Sequence, residues 1–283
     1  MNDFAVLLRG AVEVRSSTRS RLGRVVEAHG VSGQRLEAWL EGDEEPGASD
    51  GPAVAALEDA LEVPSGFLAS RLPAERERLR AAGLYDQSSV PADDPREPHE
   101  AAVSQLGMSY ADFVWECVHD RIRIDEHHAE AEHEVRLLLT ATRDGVEAYP
   151  VWIHTSDSDS YPVVTAVSGT RVGRVLEFRE NACVAVQMLL PRPLAAGETV
   201  SVEHRQSFLG VSTPRDRLTR GVGTPSREVV MEVQFDPRAL PSRVMSEVTV
   251  AGERLQTELE PRSTVQLHVH DSPPGEFEIW WVP

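Results

Sequence analysis

The chain has 283 residues, 41% of them hydrophobic and 26% charged, so it is long enough for two domains and apolar enough to bury a core. Its formal net charge is -18, and all 28 of its basic residues are arginine. Such a charge repels nucleic acid and membrane surfaces globally, so any contact with DNA has to come from a local patch. Cys117 and Cys183 are the only cysteines, and the absence of a CxxC pair excludes a thiolate metal site of the usual spacing. They read as reduced thiols in a reducing cytosol. The opening "MNDFAVLLRG" has too short an apolar patch for a signal peptide. No apolar run approaches the ~20 residues of a membrane span. The expected location is cytoplasmic, without membrane contact.

The first 72 residues read as helical. "DFAVLLRGAVEV" places Phe4, Leu7, Leu8 and Val12 on one face. "SSTRSRLGRVVEAHG" offers Ser17 or Thr18 as a cap, an apolar face of Leu22, Val25 and Val26, and a stop at Gly30. Ser32 caps the next helix, which carries Leu36, Trp39 and Leu40 and closes at Gly42. Pro52 opens a fourth helix bearing Val54, Leu57 and Leu61, and Val63, Phe67 and Leu68 follow around a break at Pro64. Residues 73–84 read as a solvated helix, and 85–107, with three prolines, as a linker.

From about residue 116 the period changes to two. "DRIRID", "HEVRLLLTAT", "CVAVQMLL", "REVVMEVQF", "STVQLHVH" and "EFEIWWV" are among eight to eleven short alternating runs separated by turn residues. No long helical pattern lies between them, which excludes a βαβ arrangement. The predicted architecture is multidomain, α plus all-β. It has a helical domain over 1–72, a helix and linker over 73–115, and an antiparallel β-sandwich over 116–283. "GVGTPSRE" is read as part of a mobile loop within 210–227.

In "GVSGQRLEAWLEGDEEP" the spacing of Gly30, Ser32, Leu36, Trp39, Gly42 and Pro46 resembles the Cro/repressor (XRE) helix-turn-helix family. Leu57, Ala60, Leu61, Val63, Phe67 and Leu68 match that family's following helix, so the resemblance spans residues 1–72. It implies a helix-turn-helix that binds double-stranded DNA, with the third helix in the major groove. Gly33, Gln34, Arg35 and Ala38 would then face the bases. Gln34 can pair with adenine, and Arg35 can reach a guanine or a phosphate. Ser32, Arg19 and Arg21 complete the expected DNA-contacting set. The sequence departs from the family at Leu22, where a glutamine is common, at Val26, where a small residue is usual, and in the longer loop containing "GASDG". Residues 1–40 hold six arginines against four acids, a local charge of +2, and the acids of "EGDEEPGASD" fall beyond the third helix. The competing reading is a degenerate helix-turn-helix that serves as a protein-interaction module, with the arginines as a solvated face.

Two histidine-rich stretches remain. "DEHHAEAEHE" could offer His127, His128, Glu130 and His133 to a metal, but reads more simply as an exposed hairpin tip. "LHVHDSPPGE" puts His268 and His270 on one strand face and resembles the first metal motif of cupins. The second motif is missing, so the pair is read as surface or interface histidines. No GxSxG, HExxH, P-loop or GxGxxG motif occurs. The expectation is a regulator and not an enzyme, without cofactor or metal. "LLPRPLAAGETVSVEH" resembles part of the β-domain that accompanies actinobacterial helix-turn-helix proteins, a domain expected to sense a small molecule or bind a protein partner. Proteins of this type bind two half-sites, so a homodimer is expected. Of the adjacent Trp280 and Trp281, one should enter the core and one should lie outward.

Overall fold

The computed structural model describes residues 3–14, 18–61, 63, 68–72, 77–78, 81–83, 85–87, 98–154, 161–178, 183–209 and 214–283. Ser17, Pro64, Phe67, most of the predicted 73–84 helix, residues 88–97 of the linker and residues 210–213 lie outside these. The chain divides into two compact units. One holds the described residues up to Gln87 together with 161–163 and 209, and the other holds 98–154, 164–208 and 214–283.

The first unit contains α1 (Asp3–Val14), α2 (Arg19–Glu27), α3 (Gly33–Glu41), α4 (Gly51–Ala60) and a short strand, β1 (Tyr85–Gln87). Capping sets the boundaries. Thr18 Oγ1 accepts from the Arg21 backbone N–H at 3.3 Å, and Ser32 Oγ accepts from that of Arg35 at 3.3 Å. Gly30 (φ 81°) makes the turn between α2 and α3, where a side chain would be strained. The apolar faces of the four helices close one core of Phe4, Leu8, Leu22, Val26, Leu36, Trp39, Val54, Leu57 and Leu61. Phe4 meets the Trp39 ring edge-on, with centroids 6.2 Å apart. Glu58 is buried on α4, and its Oε1 accepts from the backbone of Leu68 and Ala69 at 2.7 and 2.9 Å, fixing the segment that follows the helix.

The second unit opens with α5 (Pro98–Gln105). Its strands are β2 (Phe113–Ile124), β3 (Glu130–Ala141), β4 (Val146–His154), β5 (Tyr161–Ser168), β6 (Arg171–Phe178), β7 (Cys183–Leu194) and β8 (Thr199–Leu209), followed by β9 (Arg217–Val222), β10 (Ser226–Phe235), β11 (Arg243–Val250), β12 (Glu253–Leu259), β13 (Thr264–Ser272) and β14 (Gly275–Val282). One six-stranded sheet runs β13-β10-β2-β3-β8-β5, and a four-stranded sheet runs β12-β11-β14-β9. In a third sheet β6, β7 and β4 lie side by side. Val118, Ile122, Val135, Leu137, Leu139, Val202, Val229, Met231 and Val233 form the buried face of the six-stranded sheet. Trp281 is buried against Phe235, with centroids 5.3 Å apart, while Trp280 is half-buried.

The expected architecture, a helical helix-turn-helix domain followed by one antiparallel β-sandwich, is corrected. Among the described residues the structure is mostly β, 51% strand and 24% helix, and its helices are short. The described strands fall into three sheets, and β10 pairs in parallel with β2, Val229 opposite Val118. Alternation reveals that a segment is a strand, but the pairing of segments distant in sequence depends on the whole core. The expected mobile loop at "GVGTPSRE" is corrected too. Gly221 and Val222 end β9, and Ser226 begins β10. Thr224 Oγ1 accepts from the Trp115 backbone N–H at 3.0 Å, and Ser226 Oγ donates to the Trp115 carbonyl, so this turn is tied to β2.

Candidate functional site

In the first unit, Leu36, Trp39 and Leu40 turn inward from α3, which leaves Gln34 exposed in its first turn and Glu37 and Ala38 partly exposed. Ser32 is exposed and spends its side chain on the cap. Gly33 is half-exposed. On α2, Arg21 and Arg24 are exposed and have no ion-pair partner among the described residues.

Arg35 is placed differently from its expected role. Its Nε and Nη2 donate to Glu44 Oε1 at 2.8 and 2.5 Å, and its Nη1 and Nη2 donate to the two oxygens of Asp50 at 3.1 and 2.9 Å. The guanidinium also lies 5.5 Å from the Trp39 ring centroid. Asp50 is buried and accepts a further bond from the Gly47 backbone at 2.7 Å. The Arg35 hydrogen bond holds the Asp50 carboxyl below the usual carboxylate range, against the opposing effect of burial. The acids after α3 therefore do not stand apart from its reading end, since two of them occupy the arginine expected there. Arg19 is engaged as well, 2.5 Å from Glu37 and 3.5 Å from Glu41. That pair is more than two-fifths exposed on every partner, where ion pairs are weak and exchangeable.

The second unit holds a buried polar network that the sequence reading missed. Asp120 on β2 is fully buried, and Arg220 on β9 donates to both its oxygens at 2.5 Å. His133 on β3 places Nε2 2.9 Å from the same carboxylate and Nδ1 3.5 Å from Glu130, which pairs with Arg215. Nearby, His204 Nδ1 lies 3.0 Å from the Tyr149 hydroxyl. Burial raises the Asp120 carboxyl, but the charge of Arg220 and the His133 hydrogen bond outweigh it, and the carboxyl ends below its usual range. Burial first, then the proximity of His133 and Arg220, pushes the His204 imidazole down to about 3. The network ties β9 to β2 and β3. The exposed hairpin tip expected over 125–134 is corrected accordingly: His127 is exposed, while Glu130 and His133 are buried. A cleft of about 200 Å³ elsewhere in this unit is lined by Arg217, Glu247, Thr249, Arg254, Glu276 and Glu278. It is more polar and smaller than the mostly apolar pockets of ~300–1,000 Å³ that hold drug-sized ligands.

No family model and no curated protein matches the chain. Among solved structures it is similar to a candidate protease from Parabacteroides distasonis ATCC 8503, at 8% identity and TM-score 0.39, covering 60% of this chain and 40% of that one. It is also similar to an M1 zinc metallopeptidase from Deinococcus radiodurans, at 14% identity and TM-score 0.36, covering 60% and 42%. This chain thus spans about two-fifths of the length of either. The expectation that the chain is not an enzyme is withdrawn on these matches, which at such TM-scores assign it no activity. Among the described residues, no helix is long and apolar enough to cross a membrane.

Proposed function

We propose that the chain is a cytoplasmic, sequence-specific DNA-binding regulator that grips double-stranded DNA through α2 and α3, as a homodimer. The second unit would receive a small ligand or a protein partner. One observation carries this reading: Gln34 stands exposed in the first turn of α3, beside an α2 that presents Arg21 and Arg24, both exposed and without an ion-pair partner among the described residues. Gln34 would read a base edge and the two arginines would hold phosphates. Arg19 joins them if a phosphate displaces its exposed acids. Arg35 is removed from the base-reading set, because it is committed to Asp50 and Glu44.

The pairing of Arg19 and Arg35 with the chain's own acids favours a second reading, in which this surface binds a protein. Selection of genomic fragments by the full chain, followed by fluorescence anisotropy on the enriched sequence, separates the two. Gln34→Ala should weaken binding to that sequence about fivefold or more, since one bidentate base contact is worth ~1–3 kcal/mol, and should leave binding to random DNA unchanged. A wild-type chain that retains no fragment even at low salt would overturn the DNA reading in favour of the protein one.

A further inference from the structure

His268 and His270 lie two residues apart on β13, the edge strand of the six-stranded sheet. Residues so spaced share a face, and the two ring centroids are 4.1 Å apart. Antiparallel pairing sets Glu228 of β10 opposite His270, and Glu228 Oε1 lies 2.9 Å from His268 Nε2. One donor atom from each of the three residues lies within 4.8 Å of the others. Val229, next to Glu228, and Val265, in phase with the half-buried Val269 between the two histidines, are buried in the core, so the three donors stand on the sheet's outer face. Glu228 is 41% and His268 45% exposed.

We propose that Glu228, His268 and His270 form a binding site for a divalent transition-metal ion of the zinc class. Two imidazoles and one carboxylate suit zinc, nickel or copper, whereas magnesium and calcium favour all-oxygen shells. Zinc holds such donors at about 2.0–2.2 Å, which brings them closer to each other than 4.8 Å, and side-chain rotation alone can supply that contraction. The backbone needs no rearrangement, because the β10–β13 ladder already fixes the three Cα positions. Exposure leaves a further coordination position open to water. The bound ion replaces the Glu228–His268 hydrogen bond and pins the edge strand β13 to β10. An ion that binds only the folded chain raises its melting temperature by mass action. This site stands apart from the DNA reading and does not depend on it.

The test is calorimetric titration of the untagged, metal-free full chain with zinc chloride, paired with thermal melts. The expected result is saturable binding of about one zinc per chain and a rise in Tm with zinc. In Glu228→Gln and His270→Ala the affinity should fall at least about tenfold, with apo melting curves like that of the wild type. The His127→Ala/His128→Ala variant should bind zinc as the wild type does, and magnesium should leave Tm unchanged. Absence of saturable zinc binding, binding unaffected in His270→Ala, or binding lost in the His127/His128 variant would each overturn the proposal.

Discussion

Asp120 sits where the strand pattern asks for an aliphatic side chain. Its neighbours in phase along β2, Val118 and Ile122, are buried, and so is Asp120. That was a legible sign: a charged residue in the apolar phase of a strand needs a partner, because an unpaired buried charge is expensive. His133 carries the same sign on β3, in phase with Val135 and Leu137. What the sequence does not disclose is the partner, since Arg220 arrives from another sheet a hundred residues away. Arg220→Ala, which leaves the carboxylate alone, should cost about 3–5 kcal/mol in urea unfolding. Adding Asp120→Val to that variant should recover part of the loss. If the double variant is no more stable than the single one, Arg220 is not paying for Asp120. His204 makes a pH prediction. Its imidazole titrates near 3 in the folded chain against about 6.5 when unfolded. Protonation therefore favours the unfolded state: stability is full above about pH 6.5 and declines as pH falls toward 3, by up to ~1.4 kcal/mol per pH unit. Burial, and then the nearby His99, lowers the His154 imidazole too, in the same direction. His204→Asn should flatten the stability profile between about pH 6.5 and 4, and an unchanged slope would exclude His204 as its source.

At the scale of elements, α3 was readable and its surroundings were not. The spacing of Leu36, Trp39 and Leu40 marks one apolar face, and that face is buried. Gly30 and Gly42 were equally legible as helix punctuation, and both take positive φ. The use of Arg35 depends on how the loop from Glu44 to Asp50 folds back, and nothing in local spacing specifies that path. By spacing alone the acids there form a run beyond the helix, whereas Asp50 braces α3 against the start of α4. Substitutions on α3 should therefore separate into two kinds. Trp39→Ala should destabilise the first unit by about 3–5 kcal/mol, as removal of a fully buried aromatic does. Arg35→Ala should also lower its melting temperature, because Asp50 loses its counter-charge, yet leave DNA selectivity in place. Gln34→Ala should do the reverse. Circular dichroism melts and anisotropy on the same three proteins decide the matter. An Arg35→Ala chain with wild-type stability and lost selectivity would return Arg35 to the bases. In the β unit, alternation located strands such as β2, β10 and β13 but gave no hint that β10 lies parallel to β2.

For the whole molecule, the formal charge of -18 sets the terms on which DNA can be approached. Each phosphate neutralised contributes about -0.9 to the slope of log affinity against log salt. With Arg21 and Arg24 exposed and without ion-pair partners among the described residues, a dimer gains about four phosphate contacts and a slope near -3.6, and a monomer about half of that. The acidic surface works the other way. Salt also screens its repulsion, over a Debye length of ~10 Å at 0.1 M, so the measured slope should be no steeper than this limit. Recruitment of Arg19 from Glu37 and Glu41 would add about two contacts to the dimer and steepen the slope accordingly. Removing both cations in Arg21→Ala/Arg24→Ala should bring the slope close to zero and weaken binding to enriched and random sequences alike, since phosphates carry no sequence. Anisotropy titrations over a series of salt concentrations, with light scattering at the same protein concentrations, measure both quantities. A wild-type slope much steeper than -3.6 would place other arginines on the DNA. A slope that the double variant leaves unchanged would remove α2 from the interface, and a monomer both free and bound would exclude the dimer.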